Sequence, residues 1–425
     1  MTGLALNNGK AFIDGRLVKA NILVEEGRIA RISSGAITAE KEIDCSRKIV
    51  LPGAIDCHVH FRSPGFEQKE SMVSGSLAAI HGGITTVMDM PNTSPKTVTL
   101  RDWEDKKALA SRDCAVAFDA YMGMTGDNLG EIRMAAEKGL RAVKVYFGSS
   151  TGSMLFGDAG KLMELFLLSR EKGFVVAVHA EDDAEISRNA EKFRGRKDAA
   201  VHAKIRTGEA EAKAISALTG LQEKAGNKLH IAHISSKDGL ALVKKARKGR
   251  HGSAITCEVT PHHLFLDSRG YKKSGNLMKC NPSIKSPADR EALWRGLKAG
   301  DIDIVATDHA PHTPEEKARG YWDCPSGIPG VETMMPLLLD SVARGKIPLG
   351  RVVEACCEKP AEIFGWKAKG FIREGLDADI IVVDMEKTWK VDNEKLFTRA
   401  GYSPFNGRKL KGFVENTIAG GQVFG

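Results

Sequence analysis

Two histidines, His58 and His60, stand two residues apart at the end of the apolar run Ile49-Val50-Leu51-Pro52-Gly53-Ala54-Ile55. Strand side chains alternate with a period of two, so both imidazoles are expected on one face. Two neutral imidazoles a few Å apart make half of a transition-metal site. Arg62 shares their parity, which predicts a guanidinium in the same space, where its planar fork suits a carboxylate. Asp56 has that parity too and reads as a supporting residue. The stretch therefore suggests metal chemistry beside an anion receptor, provided that other parts of the chain supply the remaining ligands.

Candidates for those ligands interrupt other apolar runs. Lys144 lies within Val143-Lys144-Val145-Tyr146, His179 closes Phe174–His179, His230 and His233 share the run 229–234, and Asp308 closes Asp303–Asp308. A lysine inside an apolar run is expensive as an ammonium and tends to lose its proton. The neutral amine can add CO₂, and the carbamate so formed is an anion with two oxygens, able to bridge two divalent ions. A competing reading pairs Lys144 with an acid such as Glu258. His230 and His233 have opposite parity, so one is expected to face inward and the other outward, with His233, nearer the strand end, inside. Asp308 could alternatively serve as a helix N-cap. His309, facing the other way, and His81, His202 and His251 are expected to lie outside the chemistry.

These residues need a frame that gathers strand ends. Eight strand-like runs, 49–58, 84–90, 115–122, 141–147, 174–179, 229–234, 254–259 and 302–308, alternate with helical stretches. One such stretch is Ala203–Glu223; another opens at Ser286-Pro287 and is closed by Gly300. That alternation predicts an α/β fold, a (β/α)₈ TIM-type barrel whose chemistry sits at the C-terminal strand ends. Residues 1–50 and 366–425 instead carry short strands and tight turns, such as Asp14-Gly15 and Gly420-Gly421. They are expected to form one small β-sandwich-like domain from both chain ends, with the barrel, 51–365, inserted between them.

Composition narrows the class. Of 425 residues, 42% are hydrophobic and 27% charged, which excludes a disordered chain. The net charge of +8 is spread out, and the densest basic patch, Lys244, Lys245 and Arg247–Arg250, reads as a solvated helix end, so neither nucleic acid nor membrane is the expected partner. Eight cysteines without a C-x-x-C pair suggest reduced thiols and a cytoplasmic setting, and Met1–Ala5 has no leader-like pattern.

Taken together, several motifs identify a family resemblance. They are Asp56–Arg62 with Ser63-Pro64-Gly65, Met90-Pro91-Asn92-Thr93, Lys144, His179-Ala180-Glu181, His233-Ile234-Ser235, Cys257–Leu264, Thr307–His312 and Gly327–Thr333. Over nearly its whole length the chain resembles the cyclic amidohydrolases and, within them, the dihydroorotase branch. The resemblance implies two Zn²⁺ ions: His58, His60 and Asp308 would hold one, His179 and His233 the other, with N6-carboxylated Lys144 bridging. It implies Arg62, Asn92 and His312 as a receptor for the substrate carboxylate and Asn281 as a further contact, with backbone near Pro325 and Gly327 against a pyrimidine ring. Glu258 is implied close to the metals, as a ligand for a third ion or as support. The activity implied is reversible closure of N-carbamoyl-L-aspartate to L-dihydroorotate, driven in the opening direction by a metal-bridging hydroxide with Asp308 as general acid and base. The implied partner is that small molecule, with a homodimer left open.

Rival readings are an allantoinase or a hydantoinase-type enzyme with the same metals, or an inactive barrel serving as a binding subunit. Arg62 separates the first rivals, since an uncharged hydantoin needs no such cation. The presence of every expected ligand argues against the second. Gly148–Ser153 follows the Lys144 strand, and Ser149, Ser150 and Thr151 are expected to act as a lid whose hydroxyls reach the substrate.

Overall fold

The computed structural model describes residues 3–148 and 157–425. Its centre is a ring of parallel strands: β1 (Ala54–Val59), β2 (Ile84–Asp89), β3 (Ala117–Ala120, resumed at Met122–Gly123), β4 (Ala142–Phe147), β5 (Val175–Ala180), β6 (Leu229–Ile231), β7 (Ile255–Val259) and β8 (Ile304–Val305). Each pairs in parallel with its successor. A parallel bridge between Val59 and His309, and the bond from His60 N–H to the His309 carbonyl at 2.8 Å, close β8 onto β1. Asp56 fastens the same seam, its carboxylate accepting the Thr307 N–H at 3.0 Å and the Thr307 hydroxyl at 2.5 Å. Helices between the strands pack outside, giving the (β/α)₈ barrel.

These strands read as continuous apolar runs because both of their faces are covered. That property misleads at one point. The run 49–58, expected as a single strand, is two. Ile49–Pro52 pairs antiparallel with the long strand Ile380–Lys390, and only Ala54–Val59 enters the barrel. The break is Gly53, where a Cβ would lie 2.3 Å from the Thr85 hydroxyl. Both halves are buried, so hydrophobicity alone does not separate them. The stretch Ala203–Glu223 also divides. A short turn, His202–Ile205, ends at Arg206, and Thr207 caps a second helix, Gly208–Ala225, by accepting the Ala210 N–H. The Ser286 signal opens the helix Pro287–Ala299, which Gly300 ends at φ +79°.

Both chain ends build a second layered unit. One sheet holds Arg28–Ser33, Asn21–Glu25, Leu4–Asn7 and Lys41–Asp44; the other runs Gln422–Phe424, Lys409–Ala419, Ile380–Lys390, Ile49–Pro52, Lys10–Ile13 and Arg16–Lys19. Leu6, Ile22, Val24, Val50, Ile380 and Val382 fill the space between them. Among the described residues, no helix is long and apolar enough to cross a membrane.

Candidate metal centre and substrate cavity

At the C-terminal mouth of the barrel lies a small cavity. It is lined by the candidate ligands His58, His60, Lys144, His179, His233 and Asp308 and by Arg62, Asn92, Tyr146, Asn281, Ala310, Ser326 and Gly327. His58, His60 and His179 each have one ring nitrogen fixed by a carboxylate or amide oxygen, which decides what the other can do. His60 gives its Nδ1–H to Asn92 Oδ1 at 2.7 Å, leaving the Nε2 lone pair 3.0 Å from Asp308 Oδ1. His58 gives its Nδ1–H to Glu258 Oε1 at 2.5 Å, leaving Nε2 3.3 Å from the same oxygen. Three electron-rich atoms thus converge without a proton to share.

The second pair is arranged differently. His179 directs Nε2 to Glu181 Oε2 at 2.9 Å, so its Nδ1 faces His233 Nε2 at 3.0 Å. Lys144 Nζ and His233 Nδ1 are buried without a hydrogen-bond partner among the described residues. Two imidazole nitrogens converging on the Asp308 carboxylate, an unpartnered ring nitrogen on His233 and a buried amine with nothing to bond are the features that cations and an added carboxylate would satisfy. The donor set therefore fits a metal pair. Its hard and intermediate ligands, imidazole and carboxylate, suit a divalent transition ion.

Electrostatics point the same way. Burial favours the neutral amine of Lys144 and lowers its pKa to about 8, against the pull of Glu258 and Asp308. Burial alone would raise Asp308, but the nearby His58 and the hydrogen bond with His60 outweigh it and hold the carboxyl far below its usual range. Burial brings His60 down to about 4, so the imidazole is neutral and available as a ligand.

Strand parity does not explain how some of these side chains arrive. Arg62, His233 and Asp308 all lie beyond regular strand and adopt left-handed backbone, at φ +61°, +35° and +46°. Such conformations cost on the order of 1 kcal/mol or more for non-glycine residues and re-aim the side chain. Arg62 consequently turns to the far wall, where Nε donates to the Pro311 carbonyl at 3.1 Å and Nη2 lies 3.3 Å from His312 Nε2. His233 enters the cavity by the same device. His230 does not face outward as its parity implied. It sits in register with Lys144, Ala177 and Thr256, and contacts Glu258 Oε2 at 3.1 Å inside the barrel. The period-two rule holds only while the backbone stays extended, and it ends at Ile231.

Other expected residues fall variously. Glu258 has both oxygens engaged, by His58 and the His233 backbone N–H on one and by His230 on the other, which fixes the orientation of both rings. Lys144 and Glu258 do not form an ion pair. His312 lies behind Arg62, with Nε2 3.1 Å from the Ser326 carbonyl. Asn281 lines the cavity with Oδ1 held by His202 Nε2 at 3.0 Å, which turns its amide N–H₂ outward. Gly327 forms part of the wall, but Pro325 does not; Ser326 stands there instead. Ser149, Ser150 and Thr151, expected to form the lid, lie outside the described residues.

Three contributors escaped the sequence reading. Tyr146 lines the cavity with a buried hydroxyl lacking a partner among the described residues, and its spacing of two from Lys144 was a legible signal. Glu181 has the same relation to His179. Arg206, which binds Glu181 with Nε at 3.0 Å, comes from a different connection and left no local trace.

The model of the Amidohydrolase family matches residues 49–424. A dihydroorotase of Methanothermobacter thermautotrophicus is 36% identical over 428 residues, covering 100% of this chain and 94% of that protein. One from Halobacterium salinarum is 40% identical over 396 residues, covering 93% and 90%. Among solved structures, an L-hydantoinase (dihydropyrimidinase) from Arthrobacter aurescens superposes with a TM-score of 0.95 at 32% identity, covering 100% of this chain and 96% of the other. A D-hydantoinase (dihydropyrimidinase) from Thermus sp. gives 0.92 at 26%, covering 99% and 94%.

Proposed function

Because the chain belongs to the amidohydrolase family, we propose that this metal-dependent cyclic amide hydrolase acts as a dihydroorotase, interconverting N-carbamoyl-L-aspartate and L-dihydroorotate plus water in the cytoplasm. The observation that carries the substrate is Arg62. Its guanidinium is 6% exposed, lines the cavity, and has no carboxylate partner among the described residues. A buried cation without a counter-ion is expensive, and a substrate carboxylate placed there would remove that cost. The two solved structures named above carry hydantoinase names, and a hydantoin has no carboxylate to offer. The dihydroorotase reading answers this buried charge, and the full-length relatives bearing that name agree with it.

In this reading His58, His60 and Asp308 would hold one Zn²⁺ and His179 and His233 a second, with N6-carboxylated Lys144 completing the ligand set. The lysine amine attacks the carbon of CO₂, a C–N bond forms, one C=O electron pair moves to oxygen, and the amine proton leaves to solvent. Bound metal supplies Lewis acidity and acidifies water, which is the chemistry an amide hydrolysis at neutral pH requires. The chain's own residues do the rest. Arg62, backed by His312 and joined by Asn92 and Asn281, anchors the ring carboxylate and so orients the amide carbonyl toward the candidate metal ligands. Asn92 can serve because His60 occupies its oxygen, which turns its N–H₂ to the substrate. Asp308, a carboxylate at neutral pH, takes the proton of the attacking water and returns it to the departing ring nitrogen. Glu258 and Glu181 keep His58 and His179 in the tautomers that present lone pairs.

Purified protein assayed on L-dihydroorotate and on hydantoin tests the substrate. The expected result is turnover of dihydroorotate well above hydantoin, with two metal ions per chain by elemental analysis. Equal or faster opening of hydantoin would sink the assignment.

A further inference from the structure

The loop that carries Ser326 and Gly327 into the cavity is held from behind by an ammonium that plays no part in the chemistry above. Lys317 is 3% exposed, at the end of the single turn Pro314–Lys317 that begins just after His312. Its Nζ donates to the carbonyls of Lys279 at 3.2 Å, Pro325 at 3.1 Å and Gly327 at 3.0 Å, so all three of its N–H bonds are used on backbone. Neighbouring carbonyls are captured as well. Lys279 Nζ takes those of Tyr321 and Cys324, at 2.6 and 2.5 Å, and His312 takes that of Ser326. The Tyr402 hydroxyl, from the C-terminal part of the chain, adds a second donor to Gly327 at 3.3 Å. The loop also presses on the receptor, since a Cβ at Gly327 would lie 2.3 Å from the Ala310 carbonyl and 2.9 Å from the His312 ring.

A peptide's C=O and N–H point opposite ways. Drawing the Pro325 carbonyl onto Lys317 therefore turns the N–H of the same peptide, that of Ser326, away from the ammonium. Ser326 is a wall residue, and a pyrimidine ring offers amide oxygens and N–H groups along its edge. We propose that Lys317 is a positioning residue for ring recognition: with the Pro325, Ser326 and Gly327 carbonyls and the Gly327 N–H all engaged, it clamps the Pro325–Gly327 backbone in the conformation that leaves the Ser326 N–H for the substrate ring. Lys317 touches no substrate itself. An ammonium suits the task because three carbonyls converge from two separate segments, and only a triple donor satisfies them together. The charge of Lys317 is held by carbonyl dipoles, while its neighbour Glu316 pairs with Lys69 at 2.9 Å.

This inference rests on the dihydroorotase reading, and its test separates the two. Lys317→Met keeps the stem and removes the donors. Binding of orotate, which has ring and carboxylate, is compared by calorimetry with binding of succinate, which has carboxylates alone. Metal-loaded Lys317→Met should bind orotate about tenfold more weakly, with succinate affinity within about twofold, and KM for dihydroorotate should rise about tenfold while kcat changes less than about threefold. Unchanged orotate affinity, or equal losses for orotate and succinate, would overturn the proposal. If Lys317→Met does not fold, Tyr402→Phe removes the other donor to Gly327. It should weaken orotate about threefold and leave succinate alone; no change in orotate binding overturns the proposal. Wild-type protein that neither turns over dihydroorotate nor binds orotate would overturn the functional reading and this inference together.

Discussion

Replacing Lys144 by methionine should make the metal-free protein more stable and the enzyme inactive. The side chain is 1% exposed, and its ammonium has no hydrogen-bond partner among the described residues. Burial brings its pKa from 10.5 to about 8. That difference corresponds to about 3 kcal/mol against the folded state when the group is protonated, because each pKa unit is about 1.4 kcal/mol. The sign follows from linkage. Below about pH 8 the folded and unfolded chains both carry the proton, and the full penalty applies. Between about 8 and 10.5 the folded chain has lost its proton while the unfolded chain keeps it, so the penalty fades as pH rises. Methionine fills similar space without the charge. In chelated, CO₂-free protein at about pH 7, Lys144→Met should therefore gain up to about 3 kcal/mol, or about 3 °C in Tm for a chain of this length. At about pH 10 the gain should fall below about 1 kcal/mol. Differential scanning calorimetry at both pH values measures it, with metal content and dihydroorotate turnover measured on the metal-loaded proteins. The variant should hold fewer than two ions and show no turnover, and Lys144→Ala should recover part of its activity with an added short carboxylic acid. A Tm lowered equally at both pH values refutes the unpaired ammonium. Full turnover without added carboxylic acid refutes the carbamate bridge.

Other consequences follow from the same geometry. Arg62→Met should lower kcat/KM for dihydroorotate about 100-fold, the loss of about 3 kcal/mol expected when a buried charged hydrogen-bond partner is removed, and leave turnover of uncharged dihydrouracil within about threefold; equal losses on both substrates would refute the carboxylate receptor. Glu181→Gln should weaken metal binding about 10- to 100-fold in competition with a chelator, because the His179 Nε2–H loses its carboxylate; unchanged affinity would mean that the tautomer is set otherwise. Asp308→Asn should reduce turnover at least about 10³-fold and release one ion per chain, and a variant that keeps both ions and more than about a tenth of the rate would remove Asp308 from the proton path.

Much of the barrel was readable because its cause is local. Apolar strands covered on both faces need runs of valine, isoleucine and alanine, and polar residues within such runs are costly enough that each one marks something. Lys144, His179 and Asp308 announced themselves that way. The small domain was legible from its turn chemistry, but its border was not: Ile49–Pro52 and Ala54–Val59 are equally apolar, and only pairing with Ile380–Lys390 assigns the first half elsewhere. Tyr146 and Glu181 were within reach of the period-two rule applied once more from Lys144 and His179.

The sequence by itself determined the types of side chain offered to the cavity and the alternation that makes a barrel, since residue chemistry and hydrophobic periodicity are properties of short segments. Tertiary structure decided where the side chains point once the strands end. Left-handed turns at Arg62, His233 and Asp308 cancel the parity argument, and they depend on contacts between distant segments. The pairing of Arg206 with Glu181, the hold of Glu258 on both His58 and His230, and the clasp of Lys317 on Pro325 and Gly327 likewise join parts of the chain that local pattern cannot connect. A side chain's charge and shape belong to its residue, whereas its orientation and protonation belong to whatever the fold packs against it.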